Sequence, residues 1–151
     1  MRDCARTRER TPKDTDAKGG LHAAKHRDDA RCGRSILAAW RRLDPAAYTA
    51  CFTQEAELHE PYGSTPHRGT QGVRAFFSGV SEALSEVRLE PKAIYPAGNR
   101  AAVVFHGKGT GKNGKVVDVE GVDVFEFDQS GRITALWAYW DSAAVLAKLR
   151  Q

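Results

Sequence analysis

The spacing of hydrophobic positions changes twice along this chain. Residues 1–22 are polar and show no periodicity, which predicts a disordered tail, whereas residues 23–151 predict one folded domain. From about residue 23 to residue 84 the apolar side chains recur every three or four positions, as on helices. Beyond that point they alternate with polar ones, as on strands. Helices followed by strands, without a βαβ repeat, indicate an α+β fold.

Three helices are predicted in the first half. The first carries its apolar face at Ile36, Leu37, Trp40 and Leu43. Asp44-Pro45 ends this helix and begins a second one over about residues 45–53, because proline suits a first helical turn. A strand and turn with the sequence AELHEPYG follows, and the third helix covers GTQGVRAFFSGVSEAL.

Four strands are predicted in the second half, in VRLEPKAIYPA, RAAVVFHGKGTG, GKVVDVEGVDVFEFD and RITALWAYWD. Turn signals at Gly98-Asn99, Asn113-Gly114 and Ser130-Gly131 separate them. The segment GTGKNGKV, residues 109–116, resembles a phosphate-binding loop. A strand follows it instead of the helix that such a loop requires, so it is interpreted as a hairpin.

Composition and charge narrow the range of partners. Residues 1–34 hold ten Lys/Arg and six Asp/Glu, whereas residues 35–151 hold thirteen of each, so no nucleic-acid partner is predicted. No apolar run approaches the ~20 residues of a membrane span, so no membrane partner is predicted. The three cysteines lie far apart, which favours a reducing cytoplasm over a disulfide framework. His22 and His26 are predicted to be exposed, and neither a metal nor a cofactor is expected.

One acid stands out in the third of these four predicted strands. Asp123 is the single charge on a face whose other members are Val117, Val119, Gly121, Phe125 and Phe127. Burial disfavours an ionised carboxylate, so the pKa of Asp123 should rise, and a protonated acid can donate a hydrogen bond. Two other interpretations stay open: Asp123 could bind a backbone group or face water at a cavity mouth. The role of Glu60, at the end of a strand and before Pro61, is open in the same way.

Two stretches carry a resemblance to a known family. EPYGSTPHRG (60–69) and VDVFEFDQSGRITALWAYWD (122–141) resemble the signature regions of the Δ5-3-ketosteroid isomerases, within the nuclear transport factor two-like and SnoaL-like superfamily. The resemblance covers about residues 24–147. It implies a cone-shaped, curved mixed β-sheet wrapped by three N-terminal helices around an apolar cavity.

The resemblance also implies chemical roles. Glu60 takes the place of the family's base, which moves a proton from carbon 4 to carbon 6 of the steroid. Asp123 matches the neutral acid that hydrogen-bonds the dienolate oxygen, as in a known example of carboxyl pKa tuning. Ile36 stands where the family has its oxyanion Tyr, and Phe52 and Phe77 stand where supporting tyrosines occur. Weak activity is therefore expected.

Further cavity residues follow from the strand pattern and the resemblance together. Alternation on the second of the four strands groups Ala102, Val104, His106 and Lys108, and the resemblance implies that this face lines the cavity. His106 is therefore expected to point inward as a third catalytic group, while a satisfied histidine in the core or at the cavity mouth stays open as the other interpretation. The predicted lining residues are Ile36, Trp40, Phe76, Phe77, Val104, Val119, Leu136 and Trp140. An apolar outer face is predicted from Val103, Phe105, Val122, Val124 and Trp137, and implies a homodimer through the sheet.

The expected function is cofactor-free proton transfer on a hydrophobic ring compound, a steroid or polyketide-like molecule. Three alternatives share the fold and stay open. They are an epoxide hydrolase or epoxide-opening cyclase, a polyketide cyclase, and a non-catalytic binder of apolar ligands.

Overall fold

The computed structural model describes residues 31–151. Its helices are α1 over residues 31–42, α2 (Pro45–Thr49), α3 (Gly69–Ala83) and α4 (Ser142–Leu149). Its strands are β1 (Phe52–His59), β2 (His67–Arg68), β3 (Leu84–Ala97), β4 (Arg100–Gly111), β5 (Val116–Phe127) and β6 (Ile133–Trp140). The predicted tail over residues 1–22 and the pair of His22 and His26 lie outside the described residues.

The six strands form one mixed sheet in the order β2-β1-β6-β5-β4-β3. Strands β3 to β6 are an antiparallel meander, and β1 joins it by parallel pairing with β6. The glycines of the three predicted turns all have positive φ, as tight turns require. The predicted α+β fold with a curved mixed sheet is therefore confirmed. The helix α4 was not predicted.

The junction between α2 and β1 differs from the sequence prediction. Asp44 caps α2 by accepting a hydrogen bond from the Ala47 backbone N–H at 3.0 Å, with Pro45 in the first turn. The helix ends at Thr49 rather than near residue 53. Pairing with β6 decides this boundary, because the Ile133 N–H donates to the Cys51 carbonyl at 2.9 Å and draws the chain into the sheet.

The main hydrophobic core lies between the first three helices and the central strands. Tyr48 stacks on Phe77 with ring centroids 4.2 Å apart, and Trp40 meets Phe77 edge-on at 4.9 Å. These contacts fix α1, α2 and α3 to one another. The core's buried members include Ile36, Ala39, Tyr48, Phe52, Leu58, Val73, Phe77, Ile133, Leu136 and Ala138. Among residues 31–151, no helix is long and apolar enough to cross a membrane.

The orientation predicted for β4 is wrong by one residue. Val103 pairs with Asp123 and Phe105 with Gly121, so these β4 residues share the cavity side of the sheet with Asp123. Val104 and His106 therefore lie on the outer side. The inward positions beyond Phe105 are Gly107 and Gly109, which carry no side chain and so give alternation nothing to detect.

The outer side of the sheet is partly apolar. Val122 pairs with Tyr139 and Val124 with Trp137, and Val104 lies opposite Val122. Of the five outward residues predicted, Val122, Val124 and Trp137 are confirmed, whereas Val103 and Phe105 belong to the inner side. The homodimer through this face stays a prediction.

A single glycine tests the packing on the inner side of β5. A Cβ added to Gly121 would lie 2.7 Å from the Tyr139 carbonyl oxygen and 2.8 Å from Cζ of Phe105. We expect Gly121→Ala to lower the free energy of unfolding by about 1–3 kcal/mol, since overpacking forces neighbours to move. In α3, a Cβ added to Gly79 would meet no atom within 4 Å, so Gly79→Ala should raise the free energy of unfolding by about 0.5–1 kcal/mol. Urea unfolding of both variants measures this. Unchanged stability in Gly121→Ala would show that the Phe105 ring does not cover this glycine.

Candidate active site

Glu60 directly follows β1 and points to the cavity side. Leu58, two residues earlier, is fully buried, whereas His59 between them stacks on Trp137 of the outer side at 6.0 Å. The indole N–H of Trp140 donates to Oε1 of Glu60 at 2.5 Å. The carboxyl group of Glu60 is thus held in a defined position by the last residue of β6.

Strand β6 brings the second acid next to the first. His59 pairs with Trp137 across the β1–β6 boundary, so Glu60 comes level with Ala138. Ala138 pairs on its other side with Asp123 of β5. The two acids therefore lie two strands apart, roughly 10 Å between their backbones. Ala138 between them is fully buried and has a small side chain, which leaves room for both carboxyl groups to approach each other above it.

Burial shifts both acids away from their ordinary pKa values. Burial raises the pKa of Glu60 well above its usual range, the negative charge of Asp123 raises it further, and the Trp140 hydrogen bond opposes the rise. Burial raises the pKa of Asp123 from 3.8 to about 7. Because neither carboxylate is well solvated and each repels the other, the pair retains a proton near neutral pH.

The oxygen Oδ1 of Asp123 is buried and has no hydrogen-bond partner among the described residues. Leaving such an atom unpaired costs free energy comparable to a lost hydrogen bond. Unpaired buried oxygens are rare in folded proteins, and this one belongs to a residue that lines a cavity. Because this oxygen is itself buried, it cannot take a partner from solvent in this arrangement.

The cavity that holds both acids measures about 310 Å³. This is near the lower end of the range for small-molecule sites, which is about 300–1,000 Å³. Its walls are almost entirely apolar. The apolar side chains that line it are Trp40, Phe76, Val80, Leu84, Val87, Leu89, Phe105, Val117, Val119, Trp140, Val145, Leu146 and Leu149.

The structure brings together part of the predicted site. Six of the predicted residues line this one cavity: Glu60, Asp123, Trp40, Phe76, Val119 and Trp140. Ile36, Phe77 and Leu136 are buried in the core beneath it and do not line it. Val104 lies on the outer side of β4.

His106 is also on the outer side, which corrects its predicted inward position. Its Nε2 lies 2.7 Å from Oδ1 of Asp118, and Lys108 contacts the same carboxylate at 3.6 Å. The hydrogen bond with His106 holds the pKa of Asp118 below its usual range. His106 therefore belongs to a surface charge cluster and not to the pair of Glu60 and Asp123.

One polar group near the acids was not predicted to have a chemical role. Tyr48 is buried in the core, and the sequence analysis assigned no role to its hydroxyl group. Burial raises the pKa of Tyr48 well above its usual value, and the charges of Glu60 and Asp123 raise it further. The hydroxyl group therefore lies within the electrostatic field of both acids. The one signal in the sequence was indirect: Ile36, Phe52 and Phe77 stand where the resembling family has tyrosines, so a hydroxyl group near the acids would have to come from another residue.

Residues 34–136 match the SnoaL-like domain family. The chain belongs to this family. Over 96 residues this SnoaL-like protein is 31% identical to the steroid Delta-isomerase of Nocardioides simplex, in a match covering 64% of this chain and 76% of that enzyme. The resemblance to the ketosteroid isomerases is thereby confirmed.

Two solved structures share the fold. The Δ5-3-ketosteroid isomerase from Mycobacterium sp. superimposes with a TM-score of 0.69 and 22% identity, covering 78% of this chain and 95% of that one. The epoxide hydrolase/cyclase-like enzyme SalBIII, studied for pyran ring formation in polyether salinomycin, superimposes with a TM-score of 0.67 and 24% identity. That match covers 81% of this chain and 94% of SalBIII. At these sequence identities both comparisons support the fold alone.

The raised pKa of Asp123 predicts how stability depends on pH. The folded state binds this proton more tightly than the unfolded state does, so the free energy of unfolding should fall as pH rises from 4 towards about 7 and then level off. Glu60, with its raised pKa, acts in the same direction. We expect Asp123→Asn to flatten the decline in melting temperature between pH 5 and pH 8.

The exposed Glu120 on the same strand supplies the control for this experiment. Glu120→Gln should keep the wild-type dependence on pH, since this side chain faces water. Melting curves of the three proteins across the pH range make the comparison. An equally steep decline in Asp123→Asn would contradict the assignment of a buried proton to Asp123.

Proposed function

We propose that this protein catalyses cofactor-free proton transfer within a hydrophobic ring ketone, as a steroid Δ-isomerase does. The observation that carries the proposal is a pair of carboxyl groups with raised pKa values, Glu60 and Asp123, in one apolar cavity. The 31% sequence identity to a steroid Delta-isomerase supports a steroid-like ring ketone as the substrate class. Neither step of the proposed reaction requires a metal or an organic cofactor.

The contacts of the two acids favour different protonation states. Trp140 donates a hydrogen bond to Glu60, and a donor stabilises an ionised carboxylate. Asp123 has a buried oxygen with no partner in the described part of the chain, so its ionised form is uncompensated there. The charge of Asp123 raises the pKa of Glu60, which by itself would leave the proton on Glu60. Because the two acids titrate as a pair, we base the assignment on their hydrogen bonds and place the negative charge on Glu60 and the proton on Asp123.

These assignments give a two-step reaction. The Glu60 carboxylate removes a proton from the carbon between the ketone carbonyl and the ring double bond, and the electron pair moves into a dienolate with its charge on the carbonyl oxygen. The protonated Asp123 donates a hydrogen bond to that oxygen. Glu60 then returns the proton to the far end of the dienolate, so the double bond becomes conjugated with the carbonyl group.

The same pair of acids could also serve two of the alternative functions. A protonated Asp123 could activate an epoxide oxygen, and a binding protein could use it to anchor a carbonyl group. Activity measurements separate these possibilities from isomerisation, because only isomerisation requires a base that accepts a carbon-bound proton.

The first activity prediction concerns the base. We expect weak but measurable conversion of a Δ5-3-ketosteroid to its conjugated enone, followed by ultraviolet absorbance. Glu60→Gln should lower kcat by about 10²–10⁴-fold, since the amide cannot accept the proton. Asp123→Ala should lower it by about 10²–10³-fold through loss of the donor to the oxyanion.

Glu57 provides a matched control, because it is a glutamate on β1, three residues before Glu60, that forms an ion pair with Arg68 and does not line the cavity. Glu57→Gln should keep the wild-type rate. If the wild type binds the steroid and shows no conversion, the proposal gives way to the binding function. Conversion of an epoxide substrate instead would favour the hydrolase or cyclase.

The second activity prediction concerns Tyr48, which we propose to be a positioning residue for the two acids. Its hydroxyl group stays protonated because its pKa is raised, so it can orient its dipole towards the charged carboxylate. Tyr48→Phe keeps the ring that stacks on Phe77. We expect kcat to fall about tenfold with little change in KM, and the pH–rate profile to move.

Tyr139→Phe makes the same chemical change on the outer side of the sheet and should leave both the rate and the pH profile unchanged. A purely structural role for Tyr48 predicts a lower melting temperature with an unmoved pH profile. That outcome would remove Tyr48 from the mechanism.

A further inference from the structure

The helix α4 forms one long wall of the cavity. It begins just after Trp140, beside Glu60, and its last residue, Leu149, lies against Gly111 next to the β4–β5 hairpin. Four of its residues line the cavity: Ser142, Val145, Leu146 and Leu149. The helix therefore extends along the cavity from the acids to the far end of the sheet.

The strand register gives the length of this cavity. Val117 lines its far end and packs near Leu149, whereas Asp123 lies six residues further along the same strand. At about 3.3 Å per residue the cavity extends roughly 20 Å from Asp123. A long cavity with a volume of about 310 Å³ is narrow. It fits a flat, elongated, apolar ring system and leaves little room for a bulky addition.

Few contacts hold α4 in this place. Val145 and Leu149 pack against the cluster of Leu84, Val87 and Val117, but no residue of α4 is fully buried, and Leu146 is 42% exposed although it lines the cavity. At its N-terminus Asp141 accepts a hydrogen bond from the Ala144 N–H at 3.1 Å. A helix of eight residues with so little buried surface depends strongly on the groups that fix its ends.

Asn113 fixes the other end. Its side-chain Nδ2 donates to the carbonyl oxygens of Lys148 at 3.3 Å and Leu149 at 3.1 Å. Its Oδ1 accepts a hydrogen bond from the Lys115 N–H at 3.1 Å, which turns the amide nitrogen towards the helix. Asn113 thereby links the β4–β5 hairpin to the last turn of α4. We call this set of hydrogen bonds the Asn113 clasp.

We propose that α4 is a movable wall of the cavity and that the Asn113 clasp, by holding it closed, makes Asn113 a specificity-determining residue. With α4 closed, the cavity accepts a compact fused-ring ketone. A ring system that carries a long alkyl side chain enters only when α4 moves away. The choice of ligand class rests on the proposed function, whereas the movement of α4 does not.

The movement can be measured without any ligand. Asn113→Asp keeps the oxygen that binds Lys115 and removes the N–H donors to α4, and it places a negative charge beside the carbonyl end of the helix. We expect hydrogen exchange of the backbone amides in residues 142–149 to become about tenfold faster. The matched control is Asn99→Asp, in the β3–β4 turn, which should leave exchange in α4 at the wild-type rate. Unchanged exchange in Asn113→Asp would overturn the clasp.

Ligand selectivity tests the second half of the proposal. Androstenedione and cholestenone contain the same conjugated ring ketone, and only cholestenone has a long side chain. We expect the wild type to bind androstenedione about tenfold or more tightly than cholestenone, measured by tryptophan fluorescence. In Asn113→Asp this preference should shrink at least about threefold, through faster association of cholestenone.

The outcomes separate this proposal from the proposed function. An unchanged preference in Asn113→Asp would overturn the role of Asn113 in specificity even if isomerisation is observed. Conversely, faster exchange in α4 together with no binding of either steroid by the wild type would support the movable wall and contradict the steroid substrate class.

Discussion

The structure depends on burying two carboxyl groups next to each other in an apolar cavity. An isolated buried carboxylate is expensive, and a second one beside it adds repulsion. The cost is limited because Trp140 donates to Glu60 and because Asp123 can hold its proton. Strand β6 makes this possible, since it pairs with β1 on one side and with β5 on the other and sets both acids level with Ala138.

Much of this arrangement follows from the sequence because β5 alternates clearly. Every second residue around Asp123 is apolar, so its inward direction was predicted correctly, and the motif around Glu60 identified the other acid. The predicted orientation of β4 was wrong, and the reason is equally physical. Its inward positions at Gly107 and Gly109 have no side chains, so alternation did not distinguish the two faces, and the resemblance was used to place Val104 and His106 inward.

Other features depend on contacts between distant segments and leave no local signature. The end of α2 is set by the pairing of Cys51 with Ile133, which lie far apart in the chain. The role proposed for the hydroxyl group of Tyr48 depends on the packing of α2, which brings it within the electrostatic field of both acids. Likewise, α4 is short and half exposed. It is stabilised by Asn113, which lies in the β4–β5 turn and which the sequence identified only as a turn residue.

In the proposed mechanism Glu60 is the base, and the spacing of the acids explains why a glutamate rather than an aspartate suits that position. Asp123 approaches the cavity from β5, whereas Glu60 lies beyond the end of β1, where no further β1 residue pairs with β6. An additional methylene extends the reach of Glu60 but also adds a rotatable bond, and a flexible base loses the benefit of orientation. The Trp140 hydrogen bond restricts that freedom by holding one carboxylate oxygen. In the proposed mechanism Glu60 and the indole of Trp140 therefore act as one unit, in which the donor supplies the rigidity that the longer side chain lacks.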